Sequence, residues 1–164
     1  MSKAPIQRYW KASGDDDTGF WFDALGLVAF YFARLEWCSY AVVDRLGDVK
    51  DKSRAMEQNF KPRAKRAAEL VRSQLATSDA NLAGEWATFW QKATDAASMR
   101  NEILHNPLTV NLPGMRSFGN MEGIKLMKQP GSPLLELEEV QAYVDDLRIL
   151  DALMLDLFER TTFS

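Results

Sequence analysis

One cysteine and one histidine among 164 residues leave little material for several common chemistries. A lone cysteine cannot form an intrachain disulfide, so the chain suits a reducing compartment. Cys38 itself lies in an apolar stretch and reads as core filler rather than as a catalytic thiol. No cluster of cysteine and histidine has zinc-site spacing, no glycine-rich loop could cradle phosphates, and no serine or cysteine sits in a local nucleophile motif. No metal and no cofactor is therefore expected. The longest apolar run, Ala24 to Ala33, is closed by Asp23 and Arg34 and is about half of the ~20 residues that a bilayer requires. Membrane insertion is not expected. The first residues are polar and carry Asp15, Asp16 and Asp17, unlike a secretory signal. The expected location is the cytoplasm, with residues 1–18 forming a flexible arm. The net charge of −3 carries no global nucleic-acid signal, so such a role must rest on a local patch.

What is present is a single globular domain. Apolar content of 46% against 26% charged residues can build a core without staples. From Gly19 to Leu46 apolar residues recur at Leu25, Val28, Phe32, Leu35, Val42 and Leu46, the three-four alternation of a helix, and Gly47 is a natural stop. The other sides of this helix carry Phe20, Trp21, Leu27, Phe30, Tyr31, Trp37 and Tyr40, more apolar surface than one seam covers, which suggests a second subunit. A second helix is expected from about Pro62 to Leu75. A third, capped by Ser78 or Asp79, should run through Trp86, Phe89, Trp90, Ala93 and Ala97 to end near His105, because Pro107 disfavours helical geometry at Asn106. Two β-type pieces, Leu108 to Leu112 and Gly123 to Met127, predict a small hairpin or long loop over about 108–130. A last helix should span Glu138 to Arg160. The fold class is thus all-α, a four-helix bundle of up-and-down type with an inserted hairpin, occupying residues 19–164.

Between Lys50 and Arg72 basic residues outnumber acidic ones. Lys61, Arg63, Lys65 and Arg66 are candidate RNA contacts, although a solvated helix face is the simpler reading. The five tryptophans fall at core-like spacing and point to packing rather than base stacking.

The strongest chemical signal lies at the end of the third helix. His105 is the natural group for proton transfer, and the carbonyl end of a helix dipole attracts positive charge, which suits a proton donor. Arg100 shares a side with Trp90, Ala93, Ala97 and Leu104 at 100° per residue, so an arginine lies on the apolar seam and needs a carboxylate or a polar pocket. Glu36 and Asp151 are the carboxylates expected to serve a purely structural Arg100, and Glu36 could equally orient it in an active site. Asn101 and His105, four apart, are neighbours on the helix surface. Arginine to neutralise phosphate oxygens, histidine to move protons and asparagine to orient them suit a phosphodiester. Attack by an RNA 2′-hydroxyl needs one proton removed and one delivered. One chain supplies only one histidine, so a symmetric dimer is expected.

The stretch Met99 to Pro107, M-R-N-E-I-L-H-N-P, resembles the arginine, polar residue and histidine motif of the HEPN superfamily, with four residues between Arg100 and His105. The resemblance implies an all-α bundle, a catalytic pair at Arg100 and His105 with Asn101 in the polar position, a site composed at a homodimer interface, and metal-independent endoribonuclease activity of the kind found in toxin-antitoxin, abortive-infection and phage defence systems. RNA as substrate and an antitoxin or defence protein as partner follow from it. The rival expectation is a non-catalytic module that binds a nucleotide, an RNA or a partner protein.

Overall fold

A computed structural model describes residues 17–105, 108–110, 124–127 and 134–162. Five helices dominate them: α1 (Asp17–Leu46), α2 (Val49–Glu57), α3 (Phe60–Leu75), α4 (Ala80–His105) and α5 (Leu137–Arg160). The chain is a helical bundle in which α1 packs against α3, α4 and α5, while α3 packs on α4 and α4 on α5. Three short segments, β1 (Leu108–Val110), β2 (Ile124–Met127) and β3 (Leu134–Leu135), pair antiparallel in that order, with Leu108 opposite Leu126 and Leu126 opposite Leu135. Most of the region expected to hold an inserted hairpin lies outside the described residues, as does the expected arm up to residue 16. Asp17 and Thr18 already belong to α1.

The helices begin and end where side chains can satisfy backbone groups. Asp48 and Asp51 form a reciprocal capping box at the start of α2. Asp79 Oδ1 accepts the Leu82 N–H at 2.9 Å to open α4, and Glu136 with Glu139 caps α5. Gly47 closes α1 through its N–H to the Val43 carbonyl at 2.8 Å. A Cβ at position 47 would lie 2.6 Å from that carbonyl oxygen and 2.7 Å from the Asp51 Cβ, so the corner into α2 accepts only glycine without displacement.

The core is built from one stripe of each long helix. On α1 it comprises Trp21, Ala24, Val28, Phe32, Leu35, Cys38 and Val42, and on α5 it runs from Val140 through Leu147 to Leu157. Trp21 was expected on the outer sides of α1, yet it is 1% exposed. Ala64, Ala67, Ala93 and Ala97, all buried, let α3 and α4 approach closely. Trp86 stacks on Trp90 with centroids 6.0 Å apart, meets Phe89 edge-on, and donates from its indole N–H to Thr161 Oγ1 at 2.8 Å. Trp86 and Trp90 are core, as their spacing predicts, whereas Trp37, expected to pack likewise, is exposed. Burial pushes the Cys38 thiol well above its ordinary pKa, which disfavours the nucleophilic thiolate. Among the described residues no helix is long and apolar enough to cross a membrane.

Outside the core, Phe20, Phe22, Leu27, Phe30 and Trp37 of α1 stay exposed, Phe30 at 56% and Trp37 at 61%. One helix thus serves the core with one side and presents aromatic rings to solvent with another.

Candidate functional site

Arg100 stands where its helical phase puts it, on the α4 seam facing α1 and α5. It is half-buried. Its guanidinium carbon lies 5.1 Å from the centroid of the Phe32 ring, and Nη1 donates to the Asn101 side-chain oxygen at 2.9 Å. Its Nε is buried with no hydrogen-bond partner. Among the described residues a ring face and an amide oxygen, rather than a carboxylate, meet this cation.

Of the two carboxylates considered as its partners, Asp151 is engaged elsewhere. Asp151 accepts Arg34 Nε at 2.5 Å, joining α5 to α1. The charge of Glu36 acts on Arg63, and among the described residues no salt bridge joins Glu36 to Arg100. The purely structural account of Arg100 thereby loses its salt bridge. An unpaired buried donor costs about 1–3 kcal/mol, and the contact with Phe32 returns about 1 kcal/mol of this.

Tyr143 completes the surroundings of Arg100, and nothing in the motif pointed to it. Its hydroxyl donates to the Ala96 carbonyl at 2.7 Å, one turn before Arg100. Burial raises the phenol far above its ordinary pKa, with Arg100 pulling the other way, so Tyr143 is a neutral clamp that fixes α4 one turn before the motif. Its signal in the sequence was its place beside Val144 on the inner side of α5.

Asn101 and His105 are exposed on the last two turns of α4. No hydrogen bond joins His105 to Arg100 or Asn101 among the described residues. The arrangement is therefore a ladder: a half-buried cation, an amide clamped to it, and an imidazole one turn beyond.

The candidate RNA contacts on α3 separate into three groups. Lys61 and Lys65 are exposed, and Lys61 Nζ donates to Ser98 Oγ at 3.0 Å. Arg66 turns to Asp51, with Nε and Nη2 each 2.8 Å from its carboxylate, and to Glu69 at 3.1 Å. That double hydrogen bond holds the Asp51 carboxyl below its usual range. Arg63 was expected on the basic face and is a correction: it is 2% exposed. Its Nε donates to Ser39 Oγ at 2.7 Å, and its Nη1 donates to the Gln58 carbonyl at 2.7 Å and the Ala55 carbonyl at 3.3 Å. The guanidinium carbon is 3.6 Å from the Tyr40 centroid. Position 63 adjoins the apolar series Phe60, Ala64, Ala67 and Val71, so α3 turns this arginine inward. Burial lowers its pKa, opposed by Tyr40 and Glu36.

Among the described residues no group of histidine, cysteine, aspartate and glutamate could hold a metal ion. Compared with known protein families, with curated proteins and with solved structures, the chain matches none.

Proposed function

We propose that this protein is a metal-independent endoribonuclease of HEPN type, acting through Arg100 and His105 in a site composed by two copies of the chain. The observation that supports this most directly is Arg100 itself: a half-buried arginine with an unpaired Nε and, among the described residues, no carboxylate salt bridge. The Nη1 end that meets Asn101 is exposed, and a guanidinium without a carboxylate there favours a polyanion that supplies oxygen acceptors.

Arg100 neutralises the non-bridging oxygens of the scissile phosphate, and Asn101 keeps the guanidinium turned toward the helix surface. His105 takes or delivers a proton as the 2′-hydroxyl attacks and the 5′-oxygen leaves. The second histidine comes from the partner copy. The exposed side chains of Phe20, Leu27, Phe30 and Trp37 support a second subunit. A role in defence or in a toxin-antitoxin pair, with a protein partner that restrains cleavage, follows from the resemblance of the motif.

The test is incubation of wild-type and His105→Ala protein with mixed single-stranded and structured RNA in excess EDTA. Cleavage by the wild type alone, leaving 2′,3′-cyclic phosphate ends, is the expected result. A folded wild-type dimer that binds RNA without cutting it would replace the reading with a non-catalytic RNA-binding module.

A further inference from the structure

Beyond the motif, α3 and α4 enclose a groove of about 670 Å³. Ala64, Ala68 and Ala87 contribute short side chains to its lining, so the depression exists because little fills it. Lys61, Lys65 and Arg72 line its α3 bank, with one acid, Glu69, which Arg66 already engages at 3.1 Å. A chain with net charge −3 thus concentrates positive charge in one groove.

The α4 bank has a second property. Ala87, Gln91, Thr94, Ser98, Asn101 and His105 follow one another at spacings of four and three along α4 and share one face of it. Ala87 and His105 stand five turns apart, about 27 Å. The first three line the groove. Ser98 receives Lys61 at the groove's end, and the same stripe then carries Asn101 and His105. The groove therefore leads along α4 to the imidazole. Trp90 lies under the same lining as a buried ring, so the groove floor is apolar and its walls carry the charge.

We infer that the α3/α4 groove is the track for single-stranded RNA, with Lys65 and Arg72 contacting backbone phosphates and the strand running along the α4 stripe toward His105. The inference deepens the ribonuclease reading and rests on it for the chemistry at the far end; the binding stands or falls separately. A row of separated cations facing hydroxyl and amide groups fits a sugar-phosphate chain with its 2′-hydroxyls. A duplex is too wide to settle onto an alanine floor between two packed helices whose axes lie about 8–10 Å apart.

The decisive experiment measures fluorescence anisotropy of a labelled single-stranded 2′-O-methyl oligoribonucleotide, which lacks the attacking hydroxyl and so reports binding alone. Lys65→Glu and Arg72→Glu are expected to weaken it at least tenfold each and to reduce the slope of affinity against salt. Lys92→Glu makes the same charge change on the exposed side of α4 away from the groove, and it should weaken binding far less. Equal losses in all three variants, no loss at 65 and 72, or no binding by the wild type would each overturn the track. So would displacement of the oligonucleotide by duplex RNA or by poly-glutamate of equal charge at equal concentration. Parallel assays with cleavable RNA separate the two claims: groove-dependent binding without cleavage retains the track and removes the nuclease.

Discussion

Arg63 and Arg100 stand on neighbouring helices, each an arginine on a stripe that otherwise faces the core, and their donors are matched to different degrees. Around Arg63 the protein supplies Ser39, two backbone carbonyls and the Tyr40 ring. Around Arg100 it supplies one amide oxygen and the Phe32 ring, and leaves Nε bare. The first set closes the corner where α2 meets α3; the second leaves hydrogen-bonding capacity unspent beside an exposed histidine. Burial of a cation by itself says little about its role. How completely its donors are matched is the distinguishing quantity.

Exchanging the two roles is the sharpest way to break this contrast. Arg100→Ala should lower RNA cleavage at least 100-fold, on the scale of removing one charge-stabilising donor. Its urea midpoint should change little, because the alanine removes an unsatisfied buried donor together with the contact to Phe32. Loss of folding with Arg100→Ala would assign that residue a structural role and cancel the contrast. Arg63→Ala is expected to do the reverse, costing about 3 kcal/mol or more in urea unfolding, since it deprives the Ala55 and Gln58 carbonyls of their donor and opens a cavity, while the Ser39 hydroxyl keeps the Glu36 carbonyl. A Ser39→Ala variant, which removes one acceptor from the same network, should cost about 1–3 kcal/mol.

Arg66 sharpens the comparison from the solvent side, as a third arginine on α3 whose partner titrates. Asp51 is held ionised by Arg66, so its folded pKa lies below the unfolded one. The stability it contributes is complete above the ordinary carboxylate pKa of about 4 and is lost as pH falls through the depressed folded value. Asp51→Asn should therefore flatten the dependence of the urea midpoint on pH below about 4 and leave Arg63's network untouched. The smallest effect belongs to the ring under Arg100. A double-mutant cycle between Phe32→Leu and Arg100→Met should give a coupling of about 0.5–1 kcal/mol, and zero coupling would remove the ring from the account of how that cation is held.

The long helices were legible because their apolar residues keep a 3.6-residue period over many turns, and Asp79 and Gly47 mark ends by local chemistry. Helix α2 was not, since only Ala55 among its nine residues is buried and no stripe betrays it. Its one readable mark was the Asp48 and Asp51 pair of a capping box. Phase along the helix revealed Arg100 as a core-side residue. The same count applied to Phe60, Ala64 and Val71 points Arg63 inward, but the surrounding lysines and arginines made a solvated face look sufficient. That no described carboxylate pairs with Arg100 could not be read in advance, because Asp151 is taken by Arg34 through the tertiary packing of α1 on α5.

The position of His105 has a practical consequence for watching the site at work. It is exposed on the last turn of α4 and is the only imidazole in the chain. Its ring protons give an NMR signature that no other residue can overlay, so the arrival of an oligonucleotide, the uptake of a proton and the symmetry of a paired molecule are all written in one resonance. A two-fold assembly shows it once, and an assembly in which one copy alone receives RNA shows it split.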